Sequence, residues 1–200
     1  MNTKPRSRSA KPKPKKTSQL HRDIEANLEI VTKGRLLVVD PSSSSRGSQP
    51  GYALFEAGVF KDMGVLEIAP GMALNRKLHR MVTTLRAEFP KVDVLAIELI
   101  SPFFARKGNA GFSGFNKPNV SLQRACGATL GAVECELALE VSPQSWHVHA
   151  PEGYVKNDAG DALLMGLTIL HIADTLQGVD PGPRKQHLLG ILERYRSGRG

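Results

Sequence analysis

An acidic residue lies within an otherwise apolar stretch of the chain, residues 92–100 (VDVLAIELI). This run of β-branched and aliphatic residues predicts a buried strand. Alternation along the strand gives Glu98 apolar neighbours on its own face, namely Val94, Ala96 and Ile100. A buried carboxylate without a partner costs on the order of several kcal/mol. We therefore expect Glu98 to meet a cation, a proton or a metal ion, unless it reaches solvent at the strand end.

A second acidic residue, Asp40, ends the apolar run RLLVVD at residues 35–40, and the sequence PSSSSRG follows at 41–47. A strand that stops at Asp and turns through Pro, Ser and Gly places the carboxylate at the carboxyl end of the sheet. The alternative is a turn aspartate that hydrogen-bonds to its own backbone.

A pair of aspartates, Asp158 and Asp161, opens an apolar helical segment that continues as ALLMGLTIL at residues 162–170. This spacing places both carboxylates on one face of the first helical turn. The alternative is capping, because an aspartate at a helix N-terminus accepts hydrogen bonds from free N–H groups and suits the helix dipole.

Four acids at strand and helix ends can together hold two divalent cations. Hard carboxylate oxygens suit Mg²⁺ or Mn²⁺. Two such ions about 3.5–4 Å apart can stabilise the attacking and leaving oxygens of a phosphodiester displacement. This chemistry requires the four acids to meet in space, which depends on the fold.

The acidic segments resemble those of the RuvC family of Holliday junction resolvases, within the ribonuclease H-like superfamily, from Leu36 to about Ala173. The matching segments are VVDPS at residues 38–42 with Gly47, AIE at 96–98, and KNDAGDAL at 156–163. The last is similar to the family's D-A-x-D-A-L signature, with Gly160 in the variable place. The loose central loop and the missing C-terminal features of the family are more similar to its phage-type branch.

The resemblance implies an α/β protein of the ribonuclease H-like type, with a mixed five-stranded sheet and helices on both faces. It implies that two Mg²⁺ ions, replaceable by Mn²⁺, bind to four catalytic acids, Asp40, Glu98, Asp158 and Asp161. In such a mechanism one ion activates water and the other stabilises the leaving 3′ oxygen, which gives 5′-phosphate and 3′-hydroxyl ends. No protein nucleophile is needed, so Ser42–Ser45 are interpreted as turn residues that can contact phosphate.

The elements that must position these acids are predicted from hydrophobic periodicity and turn signals. The predicted strands cover residues 35–40, 52–56, 64–68, 92–100 and 136–142, with a turn near 60–64. The predicted helices cover residues 73–89, 120–134, 158–176 and 184–196, with a short helix or linker at 23–31. The order βββαβαβα is that of the ribonuclease H-like arrangement.

Charge is distributed unevenly along the chain, and we predict three segments from it: a disordered basic tail at residues 1–22, a ribonuclease H-like nuclease domain at 23–180, and a C-terminal basic helix or tail at 181–200. The net charge is +8, but the first twenty residues hold seven basic side chains and no acidic one, so the rest of the chain carries only +1. The basic composition of the N-terminal segment predicts that this segment is disordered. The tail is expected to bind phosphates through residues that include Lys11, Lys13, Lys15 and Lys16. The alternative is a tail that only increases solubility.

The predicted loop at residues 101–119 interleaves aromatic and basic side chains. Such a mixture suits unstacked bases and phosphates, and the resembling family contacts the branch point with a Phe that shortly follows its strand-four Glu. The candidate DNA-binding residues of the loop are Phe103, Phe104, Arg106, Lys107 and Lys117. Phe112 and Phe115 are interpreted as packing residues. Lys156 either contacts the scissile phosphate or balances the charge of the acids.

Other sequence features bear on the location of the protein and on a zinc site. No stretch of about 18 apolar residues is present, so we expect no membrane span, and the tail lacks the apolar stretch of a secretory signal. Cys126 and Cys135 lack a CxxC spacing, and we interpret them as reduced thiols of a cytoplasmic protein. His147 and His149 suggest a zinc site only weakly, because no Cys or third His lies near them in the sequence.

The function that we expect is metal-dependent cleavage of branched DNA, in which paired phosphodiester hydrolysis resolves Holliday junctions. The sequence leaves open whether cleavage is strict to four-way junctions or extends to flaps and forks. Symmetric cutting of two strands requires two sites, so we expect a homodimer. The dimer is expected to pack near the small residues Ala125, Gly127, Ala128 and Gly131. The alternatives are a non-catalytic protein that binds branched DNA and an actin-like or sugar-kinase-type nucleotide-binding domain.

Overall fold

A five-stranded sheet forms the centre of the protein in the computed structural model, which describes residues 17–41, 49–69, 71–98 and 117–198. The strands are β1 (Arg35–Asp40), β2 (Gly51–Glu56), β3 (Val59–Val65), β4 (Val94–Glu98) and β5 (Leu137–Val141). Their order across the sheet is β3-β2-β1-β4-β5. β1, β4 and β5 are parallel, whereas β2 and β3 pair antiparallel with their neighbours. The predicted α/β class with a mixed five-stranded sheet is confirmed.

Helices cover both faces of this sheet, as predicted. The described helices are α1 (Gln19–Ala26), α2 (Leu28–Lys33), α3 (Leu74–Glu88), α4 (Lys117–Leu130), α5 (Pro143–His147), α6 (Asp158–Leu176) and α7 (Gly182–Arg196). Alternation in β1 separates two cores, because Leu36 and Val38 face α6 while Leu37 and Val39 face α3 and α4. A sheet that is buried on both faces reads as continuous apolar strands, which explains why β1 and β4 were recognisable in the sequence.

α6 is the central helix of the first core, and most of its residues are buried. Its length and composition would allow it to cross a membrane, but 78% of its apolar window is buried within the fold. A helix that is apolar on all sides needs protein on all sides. Here β1 and β2 lie beneath it, and α1, α2 and α7 flank it.

The second and third strands pair antiparallel, as predicted, but the predicted position of the turn between them is wrong. The prediction placed a turn near residues 60–64, whereas the chain reverses at Ala57 and Gly58, which have φ of 48° and 71°. Positive φ at both central residues gives a two-residue turn that suits the twist of a hairpin. β3 therefore ends at Val65, and the predicted strand at 64–68 was misplaced because Leu66 and Ile68 are buried beyond the strand end.

The predicted boundary between the tail and the domain is also corrected. α1 begins at Gln19, after Ser18 accepts a hydrogen bond from the backbone N–H of His21. The helix buries Leu20 and Ile24 in the core that α6 forms. The last residues of the predicted tail, 17–22, thus belong to the folded domain.

The predicted C-terminal helix is confirmed as α7 (Gly182–Arg196), and it packs onto the domain. α7 buries Leu188 and Leu192 in the same core as α6. An ion pair of 2.7 Å between Arg184 Nε and the nearly buried Asp174 Oδ2 joins the two helices. The orientation of α7 relative to α6 is therefore fixed by both apolar and ionic contacts.

A close contact between α6 and the sheet sets the place where the helix begins. Gly51 is the β2 residue that pairs with Asp40. A Cβ atom at Gly51 would overlap the backbone of Asp158 and Ala159. Glycine is the residue that allows such a close approach of two backbones, so it brings the first turn of α6 beside the end of β1.

We predict that Gly51→Ala destabilises the protein by about 1–3 kcal/mol, because the added methyl forces the first turn of α6 away from the sheet. Denaturant unfolding should show this loss. Gly190→Ala in α7 is the matched control, since a Cβ there meets only a side-chain atom of Arg194 at 3.9 Å. Equal stability of the two variants would contradict the role given to Gly51.

Candidate active site

Two of the predicted site residues end neighbouring parallel strands. The register pairs Val39 of β1 with Ile97 of β4, so the next residues along, Asp40 and Glu98, lie level at the carboxyl ends of the two strands. Val38 and Ala96, two positions earlier, belong to the core that α6 forms, and alternation places Asp40 and Glu98 on that same face. The two acids are 7% and 8% exposed.

The other two acids come from the first turn of α6, next to the same edge of the sheet. The approach of Asp158 to Gly51, the strand partner of Asp40, brings this turn to the end of β1. Asp161 lies one turn further and is 7% exposed. The structure thus brings together Asp40, Glu98, Asp158 and Asp161. The other three acids lie close enough to Asp40 to raise its pKa.

The capping alternative for the two aspartates does not match the contacts. The N-cap of α6 is Asn157, whose side-chain oxygen accepts a hydrogen bond of 2.7 Å from the backbone N–H of Gly160. Asp158 Oδ2 accepts from the backbone N–H of Gln49 at 3.0 Å, and Asp161 accepts from Tyr154. Neither aspartate is needed as the cap, so both carboxylates are placed by other parts of the chain.

The electrostatic state of Asp40 shows how crowded the four acids are. Burial raises the pKa of Asp40 well above its usual range, and repulsion from Glu98, Asp158 and Asp161 raises it further. Lys156 opposes this rise. A buried carboxyl among other carboxyls favours its neutral form unless a cation joins the cluster.

The pKa values of the other three acids are also raised, with burial as the largest cause in each case. Repulsion from Asp161 adds to the rise at Glu98 and at Asp158. Hydrogen bonds act in the opposite direction, because a donor stabilises the charged form. These donors are Trp146 for Glu98, the Gln49 backbone for Asp158 and Tyr154 for Asp161.

Two aromatic residues that were not predicted as site residues orient the acids. Trp146 of α5 is almost fully buried, and its Nε1–H donates to Glu98 Oε1 at 2.9 Å. The Tyr154 hydroxyl donates to Asp161 Oδ1 at 2.7 Å. Each bond uses a single carboxylate oxygen. The only sequence signal for these residues was a lone Trp and a Tyr close before the aspartate pair, in a segment without clear periodicity.

Two lysines supply positive charge beside the acids. Lys156, a predicted site residue, is exposed, and its Nζ lies 5.4 Å from the centroid of the Trp146 ring. It lowers the pKa values of Asp40, Glu98 and Asp161, which agrees with the predicted role in balancing charge. Lys77 of α3 was not predicted. It is 7% exposed, burial lowers its pKa, and it acts favourably on Asp158.

The donor set fits a hard divalent cation in its chemistry. Carboxylates whose charge is disfavoured by burial and by one another are stabilised when such a cation binds them. Across the described residues, no three His, Cys, Asp or Glu side chains are arranged to hold one ion. Mg²⁺ is commonly held by one or two carboxylates together with water and substrate phosphates, so a preformed set of three protein ligands is not required.

Several predicted DNA-binding residues lie outside the described residues. These are Phe103, Phe104, Arg106 and Lys107 of the long loop and Lys11, Lys13, Lys15 and Lys16 of the tail. Lys117, predicted to lie in the loop, is instead the first residue of α4. Their roles stay predictions.

Among the described residues, the cysteines and histidines do not group together as metal ligands. Cys126 is buried, and its Sγ–H donates to the backbone oxygen of Glu98 at 3.2 Å. Burial raises the pKa of Cys126 to about 12, so the thiol is neutral. His149 packs against His171 of α6 with ring centroids 4.9 Å apart, and not against His147.

We predict that removing one charge from the acid cluster stabilises the metal-free protein at high pH. Because the folded-state pKa values are raised, the folded chain binds more protons than the unfolded chain, and stability falls as pH rises through that window. Asp40→Asn should therefore raise the free energy of unfolding at pH 8 by about 1.4 kcal/mol per unit of raised pKa, and have little effect below about pH 3. Chemical denaturation across pH measures both.

The matched control is Glu67→Gln, which removes an exposed carboxylate away from the cluster and should change stability little at either pH. Added Mg²⁺ should raise the Tm of the wild-type protein more than that of Asp40→Asn, because a ligand that binds only the folded state stabilises it. Stabilisation of Asp40→Asn that is equal at pH 3 and pH 8 would contradict charge repulsion as its cause.

A scan against protein-family models matches no family, and a search of curated proteins finds no match. The function must therefore be inferred from the arrangement of the four acids and their neighbours.

Proposed function

We propose that the protein is a Mg²⁺-dependent endonuclease that cuts branched DNA, with Holliday junctions as the principal substrate. The observation that carries this proposal is the meeting of four acids, from two parallel strand ends and one helix start, at the edge of the sheet where ligands of α/β proteins bind. The four acids are distant in the sequence, yet the charges of the other three all raise the pKa of Asp40.

The topology supports the finer fold assignment, the ribonuclease H-like arrangement. An antiparallel β1-β2-β3 meander continues through helix crossovers into β4 and β5, which lie parallel to β1. This is the chain order that the resemblance to RuvC resolvases implies. In the proposal, the acids of that resemblance and the acids of this cluster are the same four residues.

The residues of the chain have separable tasks in this proposal. Asp40, Glu98, Asp158 and Asp161 would hold the ions. When bound, such ions supply an activated water and stabilise charge on the leaving oxygen. Trp146 and Tyr154 keep Glu98 and Asp161 in position through hydrogen bonds of 2.9 and 2.7 Å. Lys156 offers a positive charge to the scissile phosphate, and the tail and loop cations bind the backbone elsewhere.

An inert DNA-binding scaffold is less well supported by the same contacts. Buried like charges destabilise a protein, and destabilising arrangements of charge are concentrated at functional sites. A protein that only binds DNA has no use for four carboxylates at one place, since they repel phosphate. The cluster therefore favours catalysis over binding alone.

A homodimer is part of the proposal, because two strands are cut. On α4, Ala125 is buried against the sheet, whereas Gly127 is exposed, as is Gly131 directly after the helix. A Cβ atom at Gly127 would meet no heavy atom within 4 Å. This part of α4 is free to receive a second copy, and measurement of mass in solution tests the assembly.

We predict that Glu98→Gln abolishes Mg²⁺-dependent cleavage of a labelled four-way junction while leaving junction binding intact, because the amide cannot replace the carboxylate as a ligand. Cleavage should fall by at least about 100-fold, the size of effect expected when charge stabilisation of a transition state is lost. Glu140→Gln is the matched control, since Glu140 is an exposed glutamate on the neighbouring strand β5 outside the cluster.

A flap and a plain duplex in the same assay define the substrate. Normal cleavage by Glu98→Gln would refute the metal-site proposal. Strong junction binding by the wild-type protein without cleavage in Mg²⁺ or Mn²⁺ would favour the non-catalytic alternative, and nucleotide binding without DNA binding would favour the actin-like one.

A further inference from the structure

A cleft of about 530 Å³ opens beside the acid cluster, between the start of α6 and the end of α7. Lys156 and Asp158 line one side, and Tyr195 and Arg196 of α7 line the other. The remaining lining residues are Gln49, Val65, Val155 and Asn157. The volume lies within the range of about 300–1,000 Å³ that is usual for a bound small molecule. One nucleotide unit is of that size.

The lining combines apolar surface with two cations, and such a combination can receive both a sugar and a phosphate. Lys156 and Arg196 are both exposed cations, and a guanidinium can bind two phosphate oxygens at once. The Tyr195 ring is half-buried and offers a flat surface, against which sugars and bases pack. The single acid in the lining, Asp158, belongs to the cluster that would hold the metal ions.

Both cations of the cleft are connected to the acids through an aromatic ring. Lys156 Nζ lies 5.4 Å from the centroid of Trp146, which donates to Glu98. Arg196 Cζ lies 5.8 Å from the centroid of Tyr154, which donates to Asp161. A cation at this distance from a ring face is held by the ring quadrupole, so each positive charge keeps a defined position relative to one acid.

The position of Arg196 is also fixed by the rest of its helix. Leu188 and Leu192 anchor α7 in the core, and Arg184 pairs with Asp174 of α6. These contacts hold the last turn of α7 beside the first turn of α6. The guanidinium of Arg196 therefore lies near the acids, over the ring of Tyr154.

We propose that this cleft binds the nucleotide adjacent to the scissile phosphate, and that Arg196 binds the phosphate of that nucleotide. The inference rests on the proposed nuclease function, because the acids define which phosphate is cut. It adds α7, which the sequence marked only as a basic helix, to the DNA interface, and it gives Tyr195 the role of packing against the sugar or base. The cleft thereby sets the register of the strand relative to the four acids.

The experiment replaces the phosphates around the branch point of a four-way junction, one at a time, with neutral methylphosphonates, and measures binding without divalent cations and cleavage with Mg²⁺. One position adjacent to the cut should lose about tenfold in affinity with the wild-type protein, the effect of losing one charge-assisted hydrogen bond. Arg196→Ala should lose about tenfold on the unmodified junction and nothing further at that one position. Its slope of log affinity against log salt should fall by about 0.9.

Arg194→Ala is the matched control, because Arg194 is an exposed arginine on the same turn of α7 that does not line the cleft. It should keep the full sensitivity to the adjacent methylphosphonate. Arg196→Lys should recover part of the affinity, whereas loss of folding, checked by Tm, would affect every substrate position alike.

The outcomes separate this inference from the proposed function. If the wild-type protein cuts the junction but Arg196→Ala retains the sensitivity to every methylphosphonate, the cleft inference is wrong and the nuclease stands. If the wild-type protein never cuts but Arg196→Ala abolishes the sensitivity at one position, the cleft binds a strand phosphate and the nuclease proposal is wrong. Absence of all DNA binding would overturn both.

Discussion

Repulsion among four carboxylates at one edge of the sheet is the interaction around which the rest of the structure is organised. Asp40 and Glu98 are nearly buried, and the pKa of each is raised by burial first and by neighbouring acids next. Such a cluster persists only when other parts of the fold hold it in place. The apolar packing of α6 on one face of the sheet and of α3 and α4 on the other supplies that support, and Lys156 and Lys77 partly offset the charge.

The side chains that hold Glu98 and Asp161 in place share one arrangement. Each acid that receives a side-chain donor receives it from the edge of an aromatic ring, and the face of that ring carries a cation. The ring thus contacts the positive charge with its face and the negative charge with its edge. A lysine or arginine paired directly with Glu98 or Asp161 would neutralise the acid and compete with a metal ion, whereas a cation over a ring face stays available to phosphate.

Much of this arrangement was predictable from local sequence. β1 and α6 have the predicted bounds of 35–40 and 158–176, because continuous apolar runs ended by Asp or opened by Asp are strong local signals. The neighbours of Glu98 on its face, Val94 and Ala96, followed from alternation alone. Asp40, Asp158 and Asp161 were found because they end or open such elements, and Glu98 was found because it interrupts an apolar run.

The contacts that complete the site were not predictable in this way. Trp146 and Glu98 are separated by 48 residues, and Gln49 and Asp158 by 109, so their hydrogen bonds depend on tertiary packing. The hairpin turn was missed for a related reason. Leu66 and Ile68 are buried by the tertiary fold and not by strand pairing, and a burial pattern alone does not distinguish these causes.

The place of α6 in the chain has a consequence for synthesis. β1 and β2, on which α6 packs, are complete by residue 56, but α6 begins only at residue 158. Contacts between such distant segments form slowly, because a long loop must close before they are gained. A nascent chain that has not yet released α6 from the ribosome therefore lacks the central helix of one apolar sheet face and holds only two of the four acids. Docking of α6 both covers that part of the core and adds the last two acids.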